Sequence, residues 1–241
     1  MVGLFSRMIV ATTMKMPRWF VGWVSKRYVA GPNLDGAVDV MKRLQREGAC
    51  FTIDVLGEEI SSMQEAEYFL SEYVNVIKAV SDNQLDANLS IKPTAFGLLI
   101  DKKTAMKNIE ELVSLANKHD MFVRLDMEDH RVTSDTIQVV IDLHEKGFTN
   151  VGTVLQGRLF RTIDDINQLQ KKLTTCADYR ICKGIYLESE SISHTNYSQI
   201  VEATNACIDR MLDAGAYTAI ASHDIPVIEH ALSSLKSRNM G

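Results

Sequence analysis

Short apolar runs alternate with longer helical stretches after residue 46, and this alternation constrains the fold more than any other feature. Six runs have the character of strands: ACFTIDV, ANLSIK, MFVRLD, NVGTVLQ, YRICKG and YTAIASH. A stretch of helical periodicity follows each run, and Ser134 before Asp135 resembles the start of one such helix. Repeated strand–helix units predict a parallel sheet covered by helices.

Polar residues close the six runs, and their spacing predicts the type of sheet. These residues are Asp54, Lys92, Asp126, Gln156, Lys183 and His223. Their intervals of 27 to 40 residues suit a (β/α)8 TIM barrel, in which roughly 250 residues share eight units. A doubly wound open sheet is the alternative, but no GxGxxG turn follows any run. We therefore predict an α/β TIM barrel of (β/α)8 type in residues 47–241, incomplete at about six units, after a helical segment in residues 1–46.

The composition narrows the class of protein. With 241 residues, 46% of them apolar and 24% charged, the chain has the balance of one globular domain, which excludes a disordered or collagen-like chain. Its four cysteines form no CxxC pair and no zinc-site spacing. We therefore expect no disulfide framework, no metal, no nucleic-acid partner and a reducing, cytoplasmic compartment, or a mitochondrial one in a eukaryote.

The first 34 residues carry five basic side chains and no acid, although the whole chain has a net charge of −5. The stretch PRWFVGWVSKRYV combines these charges with aromatic residues, which predicts a basic amphipathic helix. Such a helix either lies in a membrane interface, making the protein peripheral to a membrane, or packs its Trp face on the barrel. No apolar run approaches the roughly 20 residues of a spanning helix.

Candidate functional residues are sought at strand ends, because the loops of a parallel barrel converge there. Lys92, in LSIKPTAFG, could bind an anion as a point charge, form a Schiff base when desolvated, or lay its stem over the rim. Asp126, in VRLDMEDH, follows the neighbouring strand and is expected to pair with Lys92. The acidic cluster around Asp126 is too local for a closed metal site.

Two further strand ends carry polar residues. Gln156 ends an apolar strand, where its amide needs partners that the backbone or a heteroaromatic ring such as a flavin could supply. In YRICKGIYLE, alternation puts Arg180 and Lys183 on opposite faces unless the strand ends at Gly184. Two cations so close, with Tyr186 beside them, favour an anionic ligand, although they could equally offset nearby acids.

His223 follows the sixth run and precedes a predicted helix that opens near Pro226. A helix N-terminus favours phosphate, whereas a lone histidine more often caps a loop. From the residues alone, the chain is therefore predicted to be a barrel enzyme with a cationic mouth.

Seven stretches, in order along nearly the whole chain, resemble motifs of the proline dehydrogenase family: PRWFVGWVSKRYVAG, FTIDVLGE, SIKPTAFG, VRLDMED, VLQGRLFRT, RICKGIY and AIASHD. The resemblance implies a monofunctional flavoenzyme that binds FAD at the barrel mouth. It also implies proline catabolism, in which L-proline is oxidised to Δ1-pyrroline-5-carboxylate by hydride transfer to FAD. Its partners would be L-proline and a quinone or other electron acceptor.

The resemblance carries roles over to individual positions. It implies catalytic roles for Lys92, Asp126, Arg180 and Tyr186, and flavin contacts for Gln156, Arg180, Lys183, Gly184 and His223. Lys92 would help to hold the proline carboxylate, and Arg180 would favour the electron-rich reduced flavin.

The end of the chain departs from the family pattern. Family members continue through two more strands to a helix with a Tyr-x-x-Arg-Arg motif, and nothing of that kind follows Lys236. We therefore expect a truncated barrel whose unpaired strand edges favour self-association, for example as a homo-oligomer. Two alternatives to the dehydrogenase stay open, a catalytically incompetent remnant of the barrel and a Schiff-base aldolase.

Overall fold

The computed structural model describes residue 30 and residues 33–173 and 177–240. The strands are β1 (Phe51–Ile53), β2 (Ala87–Ile91), β3 (Val123–Leu125), β4 (Val151–Gln156), β5 (Asp178–Cys182) and β6 (Tyr217–Ile220). The α-helices are α1 (Leu34–Gln45), α2 (Met63–Asp82), α3 (Lys102–Lys118), α4 (His130–Glu145), α5 (Thr162–Lys172), α6 (Tyr197–Asp213) and α7 (Ile225–Ser237). A 3-10 helix, Pro93–Phe96, follows β2. All six predicted strands are present, and an α-helix follows each of them along the chain.

The six strands form one parallel sheet whose spatial order is the order of the sequence, from β1 to β6. A doubly wound sheet reverses its strand order at a switch point, and the described strands have no such reversal. Unbroken sequential order is the topology of a (β/α) barrel, so the predicted fold class is confirmed for these six units.

The sheet curves strongly, as a contact between side chains of β1 and β5 shows. Arg180 Nη2 on β5 donates to Thr52 Oγ1 on β1 at 3.3 Å. In a flat sheet these strands would lie about 19 Å apart, at about 4.8 Å per strand, which no arginine side chain spans. The described strands therefore form a half-barrel whose concave face brings distant strand ends together.

The two faces of the sheet differ in chemistry. Leu89, Ile91 and Leu125 face the helices and are fully buried in an apolar core with residues of α2 and α3. A second apolar cluster packs β4 and β5 against α6 and α7. The concave face is polar, since Ser90 and Arg180 hydrogen-bond to each other across it. The helical layer thus supplies the hydrophobic stability, and the concave face is left for polar chemistry.

One predicted helix start is wrong. Helix α4 begins at His130 and not near Ser134, because Asp129 accepts the backbone N–H of Arg131 and caps the helix. Asp and Ser are both good N-cap residues, so the earlier of the two candidates ends the loop. The first residue of the helix, His130, therefore lies directly beside the site that follows β3.

The N-terminal region is described only in part, and the predicted basic helix in PRWFVGWVSKRYV lies outside the described residues. Helix α1 packs Val38 and Met41 against the core of the half-barrel. The division into residues 1–46 and 47–241 stays a prediction. Within the described ranges, no helix is long and apolar enough to cross a membrane.

Candidate active site

The centre of the concave face is an ammonium group between two carboxylates. Lys92 follows β2, and its Nζ lies 2.6 Å from Asp54 Oδ2 and 3.6 Å from Asp126 Oδ2. Asp54 follows β1 and Asp126 follows β3, so three neighbouring strand ends meet here. The structure brings Lys92 and Asp126 together as their strand positions predicted, with Asp54 as the closer partner.

The electrostatics of Lys92 keep its ammonium charged. Burial lowers the pKa of Lys92, but the hydrogen bond and charge of Asp54 and the charge of Asp126 outweigh it, so its net pKa lies above the ordinary value. A Schiff-base lysine needs a lowered pKa to be a nucleophile near neutral pH. This environment disfavours the aldolase alternative at Lys92 and suits a fixed positive charge.

Arg180 supplies a second cation on the opposite side of Asp126. Its Nη1 donates to Ser90 Oγ at 3.0 Å and lies 3.4 Å from Asp126 Oδ1, while Ser90 Oγ donates to the same Asp126 oxygen at 2.5 Å. Burial, aided by the charge of Arg124, lowers the pKa of Arg180. Asp126 is thus shared by two cations and a hydroxyl, which fixes the direction of its carboxylate.

A buried carboxylate underlies this group. Both oxygens of Glu128 accept from Thr94, one from its backbone N–H at 3.0 Å and one from its hydroxyl at 2.5 Å. The same hydroxyl accepts the N–H of Glu59 at 2.9 Å, which ties the loop after β1 to the ends of β2 and β3. Burial raises the pKa of Glu128 against the lowering effect of these hydrogen bonds.

Gln156 and Gly184 form a cradle beside the charged group. The Gln156 amide nitrogen donates to Glu128 O at 2.7 Å and Met127 O at 3.3 Å, which leaves Oε1 buried with no partner among the described residues. Gly184 has a φ of 101°, and a Cβ there would lie 2.6 Å from that oxygen. An N–H donor on a bound ring would satisfy this oxygen.

Lys183 does not join Arg180 at the centre. Its Nζ lies 2.5 Å from Asp224 Oδ2 and 5.3 Å from the Tyr197 ring centroid, on the side of the site where α7 begins. Lys183 and Arg180 thus pair with different carboxylates, Asp224 and Asp126, and their joint binding of one anionic ligand stays a prediction. His223 and Lys183 line a cavity of about 580 Å³ that also contains Gly184, at the ends of β5 and β6.

Tyr186 lies in the loop after β5 and reaches across to the loop after β1. Its hydroxyl donates to Glu58 Oε2 at 3.2 Å, and burial, with the charge of Glu58, raises its pKa above the ordinary tyrosine value. The buried Arg158 donates to Tyr186 O at 2.7 Å and to His194 O at 3.3 Å. This arginine holds the loop that carries Tyr186.

Several residues of the site were not among the predicted ones. They are Asp54, Glu58, Tyr73, Ser90, Thr94, Glu128 and Arg158. Asp54 was recognised only as a strand end, and FTIDVLGE was the signal that could have found it. Within the described residues, no cluster of three His, Cys, Asp or Glu side chains could hold a metal ion.

Fold and site together define a class, a (β/α) barrel with a charged mouth and a buried, unpaired acceptor at a strand end. A family model described as proline dehydrogenase matches residues 37–240. The chain belongs to the proline dehydrogenase family.

Comparison with individual relatives gives the same family. The chain is 33% identical over 205 residues to "Proline dehydrogenase 1" of Bacillus subtilis subsp. natto, covering 85% of this chain and 67% of the relative. It is 28% identical to "Proline dehydrogenase" of Deinococcus radiodurans, covering 90% of this chain and 71% of the relative. The chain thus spans about two thirds of the length of the Bacillus relative.

A solved structure shares the fold. The crystal structure of proline utilization A from Bdellovibrio bacteriovorus, inactivated by N-propargylglycine, aligns with a TM-score of 0.82 at 22% identity. The alignment covers 90% of this chain and 27% of that one. At this identity the likeness supports the barrel-type fold alone.

Proposed function

We propose that this chain oxidises L-proline to Δ1-pyrroline-5-carboxylate as an FAD-dependent proline dehydrogenase. The observation that carries the proposal is the ammonium of Lys92 between Asp54 and Asp126, together with the unpaired, buried oxygen of Gln156. Relatives named proline dehydrogenase support the choice of substrate. A quinone or another electron acceptor would complete the reaction.

The site residues fit a flavin. Gln156 Oε1 would accept an N–H of the flavin ring, and Gly184, which has no Cβ, keeps that oxygen in place. Lys183 and His223 line the cavity at the ends of β5 and β6, where they would face the dinucleotide part. When bound, FAD supplies the acceptor for the hydride that proline loses.

The charged residues would hold the substrate. Lys92 offers its ammonium to the proline carboxylate as a point charge, and Asp126 sets the position of that ammonium. Arg180 places a fixed positive charge beside the cradle, which favours negative charge that develops there. Tyr186 spans from the loop after β5 to Glu58 and would shape the pocket wall.

The test is a Lys92→Met variant, with the exposed Lys78→Met on α2 as its matched control. Losing a charge-assisted contact costs roughly 1.5–3 kcal/mol, so kcat/KM for proline should fall about ten- to a hundredfold while bound flavin stays unchanged. Proline-dependent reduction of an artificial acceptor and flavin absorbance per chain are the two readouts. Equal activity of Lys92→Met and Lys78→Met would refute the role of Lys92.

The same preparation tests the remaining alternatives. A purified chain that is yellow yet shows no turnover with proline would favour the catalytically incompetent remnant. Borohydride trapping of a keto compound on a lysine would favour the aldolase, although the raised pKa of Lys92 and the pairing of Lys183 with Asp224 both oppose it.

A further inference from the structure

Tyr73 reaches the candidate site from the helical layer. It lies on α2 with its ring against Phe96, and only 1% of it is exposed. Its hydroxyl contacts three groups: the backbone N–H of Val55 at 3.1 Å, the carbonyl oxygen of Ser90 at 2.7 Å and Asp54 Oδ1 at 3.1 Å. A tyrosine hydroxyl has one proton, so it accepts from Val55 N–H and shares that proton between Ser90 O, the shorter contact, and Asp54 Oδ1.

The position of this hydroxyl follows from the register of β1 and β2. Phe51 N donates to Asp86 O at 2.8 Å, and the Cα partners continue to Ile53 opposite Leu89. In a parallel ladder the donors recur every second residue, so the next bond would join Val55 N–H to Ser90 O. The Tyr73 hydroxyl stands between these two groups, and it holds the end of β1 away from β2.

The two strands that it separates carry the residues that fix Lys92. Asp54 Oδ1 lies 3.1 Å from the Tyr73 hydroxyl, whose single proton it shares with the Ser90 carbonyl, and Asp54 Oδ2 accepts from Lys92. Ser90 accepts from Tyr73 through its carbonyl, and its side chain donates to Asp126, the second carboxylate beside Lys92. Tyr73 therefore contacts Asp54 directly and is connected to Asp126 through Ser90.

We propose that Tyr73 is a positioning residue, whose hydroxyl spaces β1 from β2 so that Asp54 and Asp126 hold the Lys92 ammonium in one place. The inference rests on the proposed role of Lys92 in binding the substrate carboxylate. Burial raises the pKa of Tyr73, so the hydroxyl keeps its proton and stays a donor over the neutral range.

The experiment is competitive acetylation of lysines in the full chain, followed by mass spectrometry, with Lys78 as the internal reference. In Tyr73→Phe the ring remains, but the hydroxyl that separates Val55 N–H from Ser90 O is lost, so the end of β1 moves and Asp54 shifts away from Lys92. The pKa of Lys92 should then fall, and its labelling rate should rise about three- to tenfold. Tyr68→Phe, on the same helix with 58% of the residue exposed, should leave the rate unchanged. An unchanged rate in folded Tyr73→Phe overturns the proposal.

A double-mutant cycle separates positioning from a general loss of stability. If Tyr73 acts through Asp54, then Tyr73→Phe in an Asp54→Asn background should change Lys92 labelling by less than about twofold. Independent effects of the two substitutions would contradict the proposal. If Tyr73→Phe fails to fold, Tyr73→4-fluorophenylalanine fills the volume of the hydroxyl without its proton and should give the same rise.

Labelling needs neither bound flavin nor proline. If the original chain does not oxidise proline but Tyr73→Phe still raises the labelling rate of Lys92, the proposed function is refuted and the positioning role is supported. An unchanged rate in an active chain would refute the positioning role alone.

Discussion

At Gly184 the chain turns from β5 into the loop that carries Tyr186, with a φ of 101°. Two constraints meet at this residue. The positive φ disfavours any side chain, and the space where a Cβ would stand is bounded by Gln156 Oε1 at 2.6 Å and Arg158 Cδ at 2.7 Å. The glycine thus lets Gln156 and Arg158 pack directly against the backbone of the loop, and any side chain there would displace the oxygen proposed to accept from the flavin ring.

A Gly184→Ala substitution should abolish flavin retention and lower the free energy of unfolding by about 1–3 kcal/mol. Gly48→Ala is the matched control, because Gly48 has a similar φ of 90° but nothing within 4 Å of its Cβ position. Both variants carry backbone strain, but only Gly184→Ala should lose flavin, as measured by absorbance per chain. Flavin loss in both variants, or in neither, would count against the cradle.

Arg124 and Asp178 form an ion pair on the concave face, between β3 and β5. The Arg124 side chain is 4% exposed and that of Asp178 is 22% exposed, and burial raises the pKa of Asp178 against the effect of Arg124. Removing one partner of a buried pair leaves an uncompensated charge. Asp178→Asn should therefore lower the free energy of unfolding by about 3 kcal/mol.

Adding Arg124→Met to Asp178→Asn should recover part of that loss, because the double variant buries no lone charge. Urea unfolding of the two single variants and the double variant measures the effect. A double variant whose loss equals the sum of the single losses would show that the pair is not coupled.

The strands and helices could be predicted from the hydrophobic periodicity of the sequence, but their boundaries and some side-chain contacts could not. The start of α4 at His130 was missed because Asp129 and Ser134 are both good N-cap residues, and the hydrophobic pattern could not rank them. Lys92 and Asp126 were found because strand ends converge in a barrel. Tyr73 was missed because a buried aromatic residue on an amphipathic helix has the same pattern whether or not its hydroxyl reaches a site.

Helix α3 offers an element-scale prediction about pH. Its N-cap, Asp101, accepts from the Thr104 hydroxyl at 2.6 Å and from the backbone N–H groups of Lys103 and Thr104, and these bonds lower its pKa, the Thr104 hydroxyl first. A carboxyl group whose pKa is lower in the folded state than in the unfolded state stabilises the fold at pH values above its unfolded pKa of about 3.9. This stabilisation is lost as the pH falls through the folded pKa.

Asp101→Asn keeps a capping oxygen and removes the charge. Its urea midpoint should therefore lie below that of the original chain at pH about 7, and the difference should vanish as the pH falls below the folded pKa of Asp101. Glu111→Gln removes one exposed charge from the middle of the same helix and is the control that should leave the urea midpoint unchanged. A difference that persists at low pH would assign the effect to geometry and not to charge.

At the scale of the whole molecule, charge is divided unevenly along the chain. The first 34 residues have a net charge of +5, so the remaining residues have a net charge of −10 within the total of −5. Anionic membrane surfaces attract such basic segments by about 1 kcal/mol per Lys or Arg, whereas the acidic remainder is repelled. A quinone, proposed above as the electron acceptor, lies in the membrane. A basic segment that binds the membrane would therefore bring the enzyme close to this acceptor.

We therefore predict that Arg18, Lys26 and Arg27 bring the protein to anionic membranes, although they lie outside the described residues. Changing all three to Gln should weaken co-sedimentation with anionic vesicles by about a hundredfold, from about 3 kcal/mol. The control changes three exposed lysines of α2 and α3, Lys78, Lys107 and Lys118, to Gln and should bind as before. Binding by the original chain should weaken at about 1 M salt, where the screening length is about 3 Å. If the triple variant binds normally but unfolds at a lower temperature, the segment packs on the barrel instead.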